Sequence, residues 1–215
     1  TAGTGDINIG SITATAGTIQ VLSTLGSIND LNDDDLADFT AGGTITLTAL
    51  SNIGLRSSGT DLDLEFAASS VVDVSSTASG LIDLHGLGDI TLANVDTANG
   101  SITVDAGGVI TATDVVSTVS LEANDITLNG TSVALGTINA GTLSADVFIN
   151  SSAGAITDAD PDAGGTDTSV NITADSLTIT GNQAVTSIET TVSTLALTSG
   201  ATSITETNGV NIEAS

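Results

Sequence analysis

The fold class predicted by this sequence is all-β: a right-handed parallel β-helix, or β-solenoid, of about ten coils of about 21 residues. Three observations carry that prediction. The chain resembles itself at fixed offsets, its apolar residues alternate with hydroxyl and amide residues, and it is almost free of aromatic side chains.

The self-similarity runs the length of the chain. Ile7-Asn-Ile-Gly-Ser-Ile12, continuing to Gly26-Ser-Ile-Asn-Asp30, returns as Val133-Ala-Leu-Gly-Thr-Ile138, continuing to Gly154-Ala-Ile-Thr-Asp158. The offset is 126 residues at the start and 128 at the end. A second echo joins Gly5-Asp-Ile-Asn-Ile9 to Gly88-Asp-Ile-Thr-Leu92 at an offset of 83, and continues through Gly17-Thr-Ile19 and Gly100-Ser-Ile102. Offsets of 83 and 126–128 share a divisor of about 21, as four units and six, which is how stacked coils read in sequence. Residues 1–215 are accordingly expected to form a single repeat segment of a longer array, with a super-repeat of about 128 residues whose second copy starts near Val133.

Within each unit the pattern is that of a strand. Gly43-Thr-Ile-Thr-Leu-Thr48, Gly100-Ser-Ile-Thr-Val104 and Val170-Asn-Ile-Thr-Ala174 alternate apolar residues with Thr, Ser or Asn. A period of two places one set inside and the other in water. The bounding Gly, Asn, Asp and Ser residues supply turns. The inward set is expected to hold Ile12, Ile19, Ile28, Ile45, Leu47, Ile90, Leu92, Ile102, Val104, Ile126, Ile138, Ile156, Ile172 and Ile179. A single helical turn is the most that Asp35-Leu-Ala-Asp-Phe39 supports.

Composition chooses among all-β architectures. The chain is 40% hydrophobic but 1% aromatic, with three Phe and no Trp, Tyr, Met or Cys. A sandwich of ordinary thickness packs aromatic residues between its sheets. Tandem immunoglobulin-like modules with a period near 128 are the rival, and they fit this composition poorly. A narrow solenoid is filled by Ile, Val, Leu and Ala stacked on like residues of neighbouring coils.

The Gly-[Ser/Asp/Thr]-Ile-Thr-[Leu/Val/Ala] units, the Gly154-Ala-Ile-Thr-Asp-Ala159 element and Ile188-Glu-Thr-Thr-Val-Ser-Thr-Leu-Ala-Leu197 resemble the repeats of filamentous-haemagglutinin-like giant bacterial surface adhesins. The resemblance covers essentially the whole chain, and its motifs are low in complexity. It implies a right-handed parallel β-helix, an extracellular or cell-surface location, and service as an adhesin or fibrous spacer. Thr1–Ile9 and Val210–Ser215 read as interior coil sequence, so the end faces are expected to meet further repeats or copies of the same chain.

Charge narrows the partners. The sequence has 26 acidic residues, one basic residue (Arg56) and a formal net charge of −25. A phosphate-binding surface must be basic, which excludes nucleic acid. No apolar stretch approaches the ~20 residues of a membrane helix. Self-repulsion at this charge is relieved by salt or divalent cations, which favours saline or calcium-containing surroundings.

One constellation points to a cation. Oxygen-bearing side chains stand at positions 1, 3 and 5 of a turn in Asp30-Leu-Asn32-Asp-Asp34, and again in Asp158-Ala-Asp160-Pro-Asp162, related by the offset of 128. This spacing resembles the opening of a calcium loop, in which hard oxygens converge. Asp35 and Asp38 complete the first site, and Gly164 and Asp167 the second, in protruding loops at equivalent corners. Neither has the glycine at position 6 or the glutamate at position 12 of an EF-hand. The same carboxylates serve equally well to keep an exposed turn soluble, and both readings stand at this point.

The other conspicuous residues read as structural. His85, the only histidine, has no second His or Cys with which to share a metal and is placed at a strand end. Arg56 is expected to pair with Asp61 or Asp63, and Phe39, Phe66 and Phe148 to plug or cover the core. Gly107-Gly108 and Gly164-Gly165 lack the context of a phosphate loop and read as corners. A β-helical lyase wants a base or a uronate-neutralising cation, and abundant Asp is no signal of paired glycosidase carboxylates; an enzyme is not expected. The expected function is a structural repeat segment of a large extracellular fibre, such as an adhesin stalk. The alternatives are an adhesive module whose β-faces contact a glycan, receptor, or host-cell or matrix surface ligand, and a self-assembling extracellular filament subunit.

Overall fold

The computed structural model describes residues 5–32, 36–54, 64–119, 121, 124–159 and 169–213. Two ten-stranded sheets dominate it, and every strand pairing among the described residues is parallel. The front sheet stacks Ile12–Ala14, Phe39–Ala41, Leu64–Phe66, Ile82–Gly86, Ile102–Ala106, Ile126–Gly130, Val147–Ser151, Ser176–Gly181, Thr194–Thr198 and Asn211–Glu213 in chain order. The back sheet stacks Ile19–Ser23, Ile45–Ala49, Ser70–Ser76, Ile90–Thr97, Val109–Ser117 and Ser132–Asn139. It continues with Ile156–Asp158 and Ile172–Thr173, which both pair with Ser132–Asn139, and then Val185–Thr191 and Thr202–Glu206. Because the chain alternates between sheets, each strand pairs with the one a full circuit away. That is a solenoid-like fold, and an antiparallel sandwich is ruled out. No helix occurs among the described residues.

Side-chain alternation dictates this arrangement. In Ile45–Ala49 and Ile102–Ala106 the Ile, Leu and Val side chains point inward and the Thr residues outward. Stacking places like on like, as in Ile90 on Ile110, Ile102 on Ile126, and Leu64 on Leu84. Of the fourteen expected core residues all but Ile12 are buried, and Ile12 packs at the edge of the same core. Phe39 lies directly on Phe66, rings stacked at 5.3 Å and 17°. Phe148 instead faces outward and is 36% exposed.

Two features were not anticipated. The echoed segments fall on opposite sheets: Ile19 is on the back sheet and its counterpart Ile102 on the front. Likewise Ile7 and Ile28 lie on a strand pair that continues through Ile53 into Ile82 of the front sheet. Their counterparts Ile90, Val133 and Ile156 lie on the back. The recurring unit is therefore one strand with its turn, used for both sheets, and the offsets of 83 and 126–128 are not four and six whole coils. Register partners on neighbouring levels lie anywhere from 16 residues apart (Ile188 and Ile204) to 34 (Ile138 and Ile172). The second feature is a buried hydroxyl ladder. Ser23, Ser76, Thr97 and Ser117 occupy one inward column with Ala49. Each hydroxyl donates to a turn carbonyl, as Ser76 Oγ to Ser51 O (2.7 Å) and Thr97 Oγ1 to Gly80 O (2.7 Å). Hydroxyls so paired are buried without the penalty of an unmade hydrogen bond.

Candidate functional site

On the water side of the front sheet one column runs through consecutive register partners: Glu65, His85, Asp105, Asn129, Asn150, Thr180 and Thr198. Asp38 extends it, because Phe39 pairs with Phe66 and so sets Asp38 beside Glu65. The Glu65 backbone N–H donates to Asp38 Oδ2 at 3.2 Å. Strands here are ~4.8 Å apart, so this is a continuous polar row.

Its N-terminal end is covered. In the first levels the front strand is interrupted: Asp30 ends one half and Phe39 begins the next, and Ile53 is similarly separated from Leu64. In Ile82–Gly86 the two halves fuse into one strand. At the break Asp30, Asp38 and Glu65 converge. Their carboxylate oxygens lie within 4.8 Å of one another, and the side chains are 3%, 1% and 1% exposed. Three buried carboxylates repel one another, and either a cation or shared protons relieve that repulsion. An all-carboxylate donor set suits a hard cation such as calcium rather than zinc or copper.

The residues expected from sequence divide sharply. Asp30 and Asp38 enter this cluster, but Asn32 does not. Its backbone N–H donates to Asp30 Oδ1 (2.8 Å) and its Nδ2 to Gly10 O (3.1 Å), which closes a local turn. Asp158 ends a back-sheet strand and accepts from Asn171 Nδ2 at 3.0 Å. Asp30 and Asp158 are thus on different sheets, not at equivalent corners, and Asp30 is buried rather than protruding. Asp34, Asp35, Asp160, Asp162, Gly164, Asp167, Arg56, Asp61 and Asp63 lie outside the described residues. Glu65 was not foreseen. Its signal was present in the repetition of an acid before phenylalanine, Asp38-Phe39 and Glu65-Phe66.

Beyond the cover the row opens. His85, Asp105, Asn129, Asn150 and Ser152 border a shallow cavity of about 200 Å³ at the corner where the front strands turn toward the back sheet. Asn129 Nδ2 donates to Asp105 Oδ1 at 2.7 Å. On the back sheet Asn94 Nδ2 donates to Asp73 Oδ1 (3.2 Å) and to Asp96 Oδ2 (3.0 Å). Burial raises the neighbouring Asp114 carboxyl above the ordinary aspartate range, and the charge of Asp96 pushes it the same way. No protein-family model, curated protein or solved structure matches the chain.

Proposed function

We propose that this chain is a structural segment of an extracellular surface fibre of the filamentous-haemagglutinin-like kind. In this reading it is a right-handed parallel β-helix of about ten coils whose end faces meet further repeats or another copy of the same chain. The supporting observation is the unbroken parallel stacking of both sheets, in which inward residues such as Ile126, Val147 and Leu177 are 0% exposed because the levels on either side close over them. A level of this kind is completed by two neighbours, whether further repeats or another copy.

Light scattering on the purified chain tests this. Mass rising with concentration in steps of one chain is expected, and Ile212→Lys is expected to suppress it. A monodisperse monomer at high concentration overturns the reading.

The same reading gives calcium a structural place at Asp30, Asp38 and Glu65, where hard oxygens meet in a chain with a single basic residue. A bound cation raises the melting temperature with the logarithm of its free concentration above its Kd. A chelator is expected to lower the melting temperature, and Glu65→Gln to abolish the calcium response. An unchanged melting temperature at millimolar calcium sinks the assignment. If Arg56→Gln mimics the chelator while calcium does nothing, the counter-charge is internal.

A further inference from the structure

We infer that the open part of the front-sheet row, from His85 to Asn150, is a binding groove for a neutral polysaccharide chain lying along the stacking direction. Four side chains, His85, Asp105, Asn129 and Asn150, succeed one another in strict register over four adjacent strands. The row spans about 14 Å at the spacing of parallel strands. It borders a cavity that is shallow rather than enclosed, and the row itself runs lengthwise over four strands, which suits an extended chain better than a compact ligand.

The chemistry of the row selects the ligand class. It presents an imidazole, a carboxylate and two carboxamides, so donors and acceptors alternate within a few ångströms. A sugar hydroxyl donates one hydrogen bond and accepts up to two, and is matched by that mixture. Asn129 holds Asp105 in place through the 2.7 Å hydrogen bond, so the acceptor is oriented before any ligand arrives. The Asn150 side chain is exposed and has no hydrogen-bond partner among the described residues. An anionic glycan is disfavoured by a chain of net charge −25 with one basic residue.

An independent observation lies on the same strand. Phe148 stands two residues before Asn150 in Val147–Ser151, on the same outward face, and is 36% exposed. Its immediate register neighbours are Thr127 and Thr178. The chain has three aromatic residues; two are stacked in the core and the third is set in water beside the polar row. A flat ring next to hydrogen-bonding side chains offers the C–H face of a pyranose a surface that threonine cannot. An added peptide strand is the competing occupant, but the backbone groups of Ile102–Ala106 and Ile126–Gly130 are already paired on both sides.

The inference does not depend on end-to-end stacking. It is tested by NMR on the labelled chain, titrated with neutral β-linked hexasaccharides of glucose, galactose and N-acetylglucosamine. Carrying each to about 10 mM reaches tenfold above a millimolar Kd. At least one series is expected to shift the His85 ring and the Asn129 and Asn150 side-chain amides. Asn150→Ala and Phe148→Thr are each expected to weaken that binding at least about fivefold. Both positions are on the surface; if Asn150→Ala loses the folded spectrum, Asn150→Asp retains the shape and is expected to weaken binding as well. Four results overturn the inference: no shifts with any neutral series, shifts centred on the back sheet, affinity indifferent to both substitutions, or tighter binding of a sulfated hexasaccharide or an extended peptide.

Discussion

Two stretches of the front-sheet row, its start and its middle, occupy the same column and behave as different materials. At the start Asp38 and Glu65 are buried and meet a third carboxylate; in the middle Asn129 and Asn150 form an open ladder of carboxamides. Nothing in the strand itself separates them, since Glu65 and His85 are register neighbours on successive strands. The difference is the break in the sheet. At the break, positions continuous in register with an open polar row are buried and bring three carboxylates together.

The largest expected effect breaks the closed end. Phe66→Ala removes half of the Phe39–Phe66 stack beneath the acid cluster and is expected to cost about 3–5 kcal/mol in urea unfolding. Phe148→Ala, the same chemistry at the open end, is expected to stay within about 0.5 kcal/mol. Next is the residue that closes the first half of the broken strand. Gly54 has φ +95°, and a Cβ there would lie 1.9 Å from the Asp83 carbonyl oxygen. Gly54→Ala is therefore expected to destabilise by more than about 1 kcal/mol. Gly17 has open space around it and no such backbone strain, so Gly17→Ala is expected to stabilise by about 0.4–1 kcal/mol.

The smallest effect is electrostatic and lies on the back sheet. The Asp114 carboxyl is raised in the folded chain, so the native state holds its proton more tightly than the unfolded state does. Stability from this group is present below the unfolded value of 3.8 and declines as pH rises through the raised folded value. Asp114→Asn is expected to flatten that acidic slope and to raise the melting temperature slightly at neutral pH. A variant with the parent slope contradicts it.

Much of this was legible in the sequence for physical reasons that differ by feature. Alternation with period two is a local signal, and it located thirteen buried core residues without reference to contacts. The phase of the coils was not legible, because a strand–turn unit serves both sheets and the echoes therefore link unlike positions such as Ile19 and Ile102. The acid cluster was half legible. Asp30 and Asp38 flank one turn, but Glu65 joins them only through the pairing of Phe39 with Phe66, a long-range register. The burial of Ser76 and Thr97 was not legible, since hydropathy does not reveal a turn carbonyl waiting one level away.

The strand-to-strand hydrogen bonds of both sheets run along the stacking direction, and each level touches only its neighbours. Tension applied between the two ends therefore peels one level at a time instead of shearing the whole body at once. With levels offset by 16 to 34 residues, each rupture feeds out a different length of chain, on the order of 50–120 Å when extended. The irregular spacing that obscures the repeat in sequence becomes, under load, an uneven series of extensible steps.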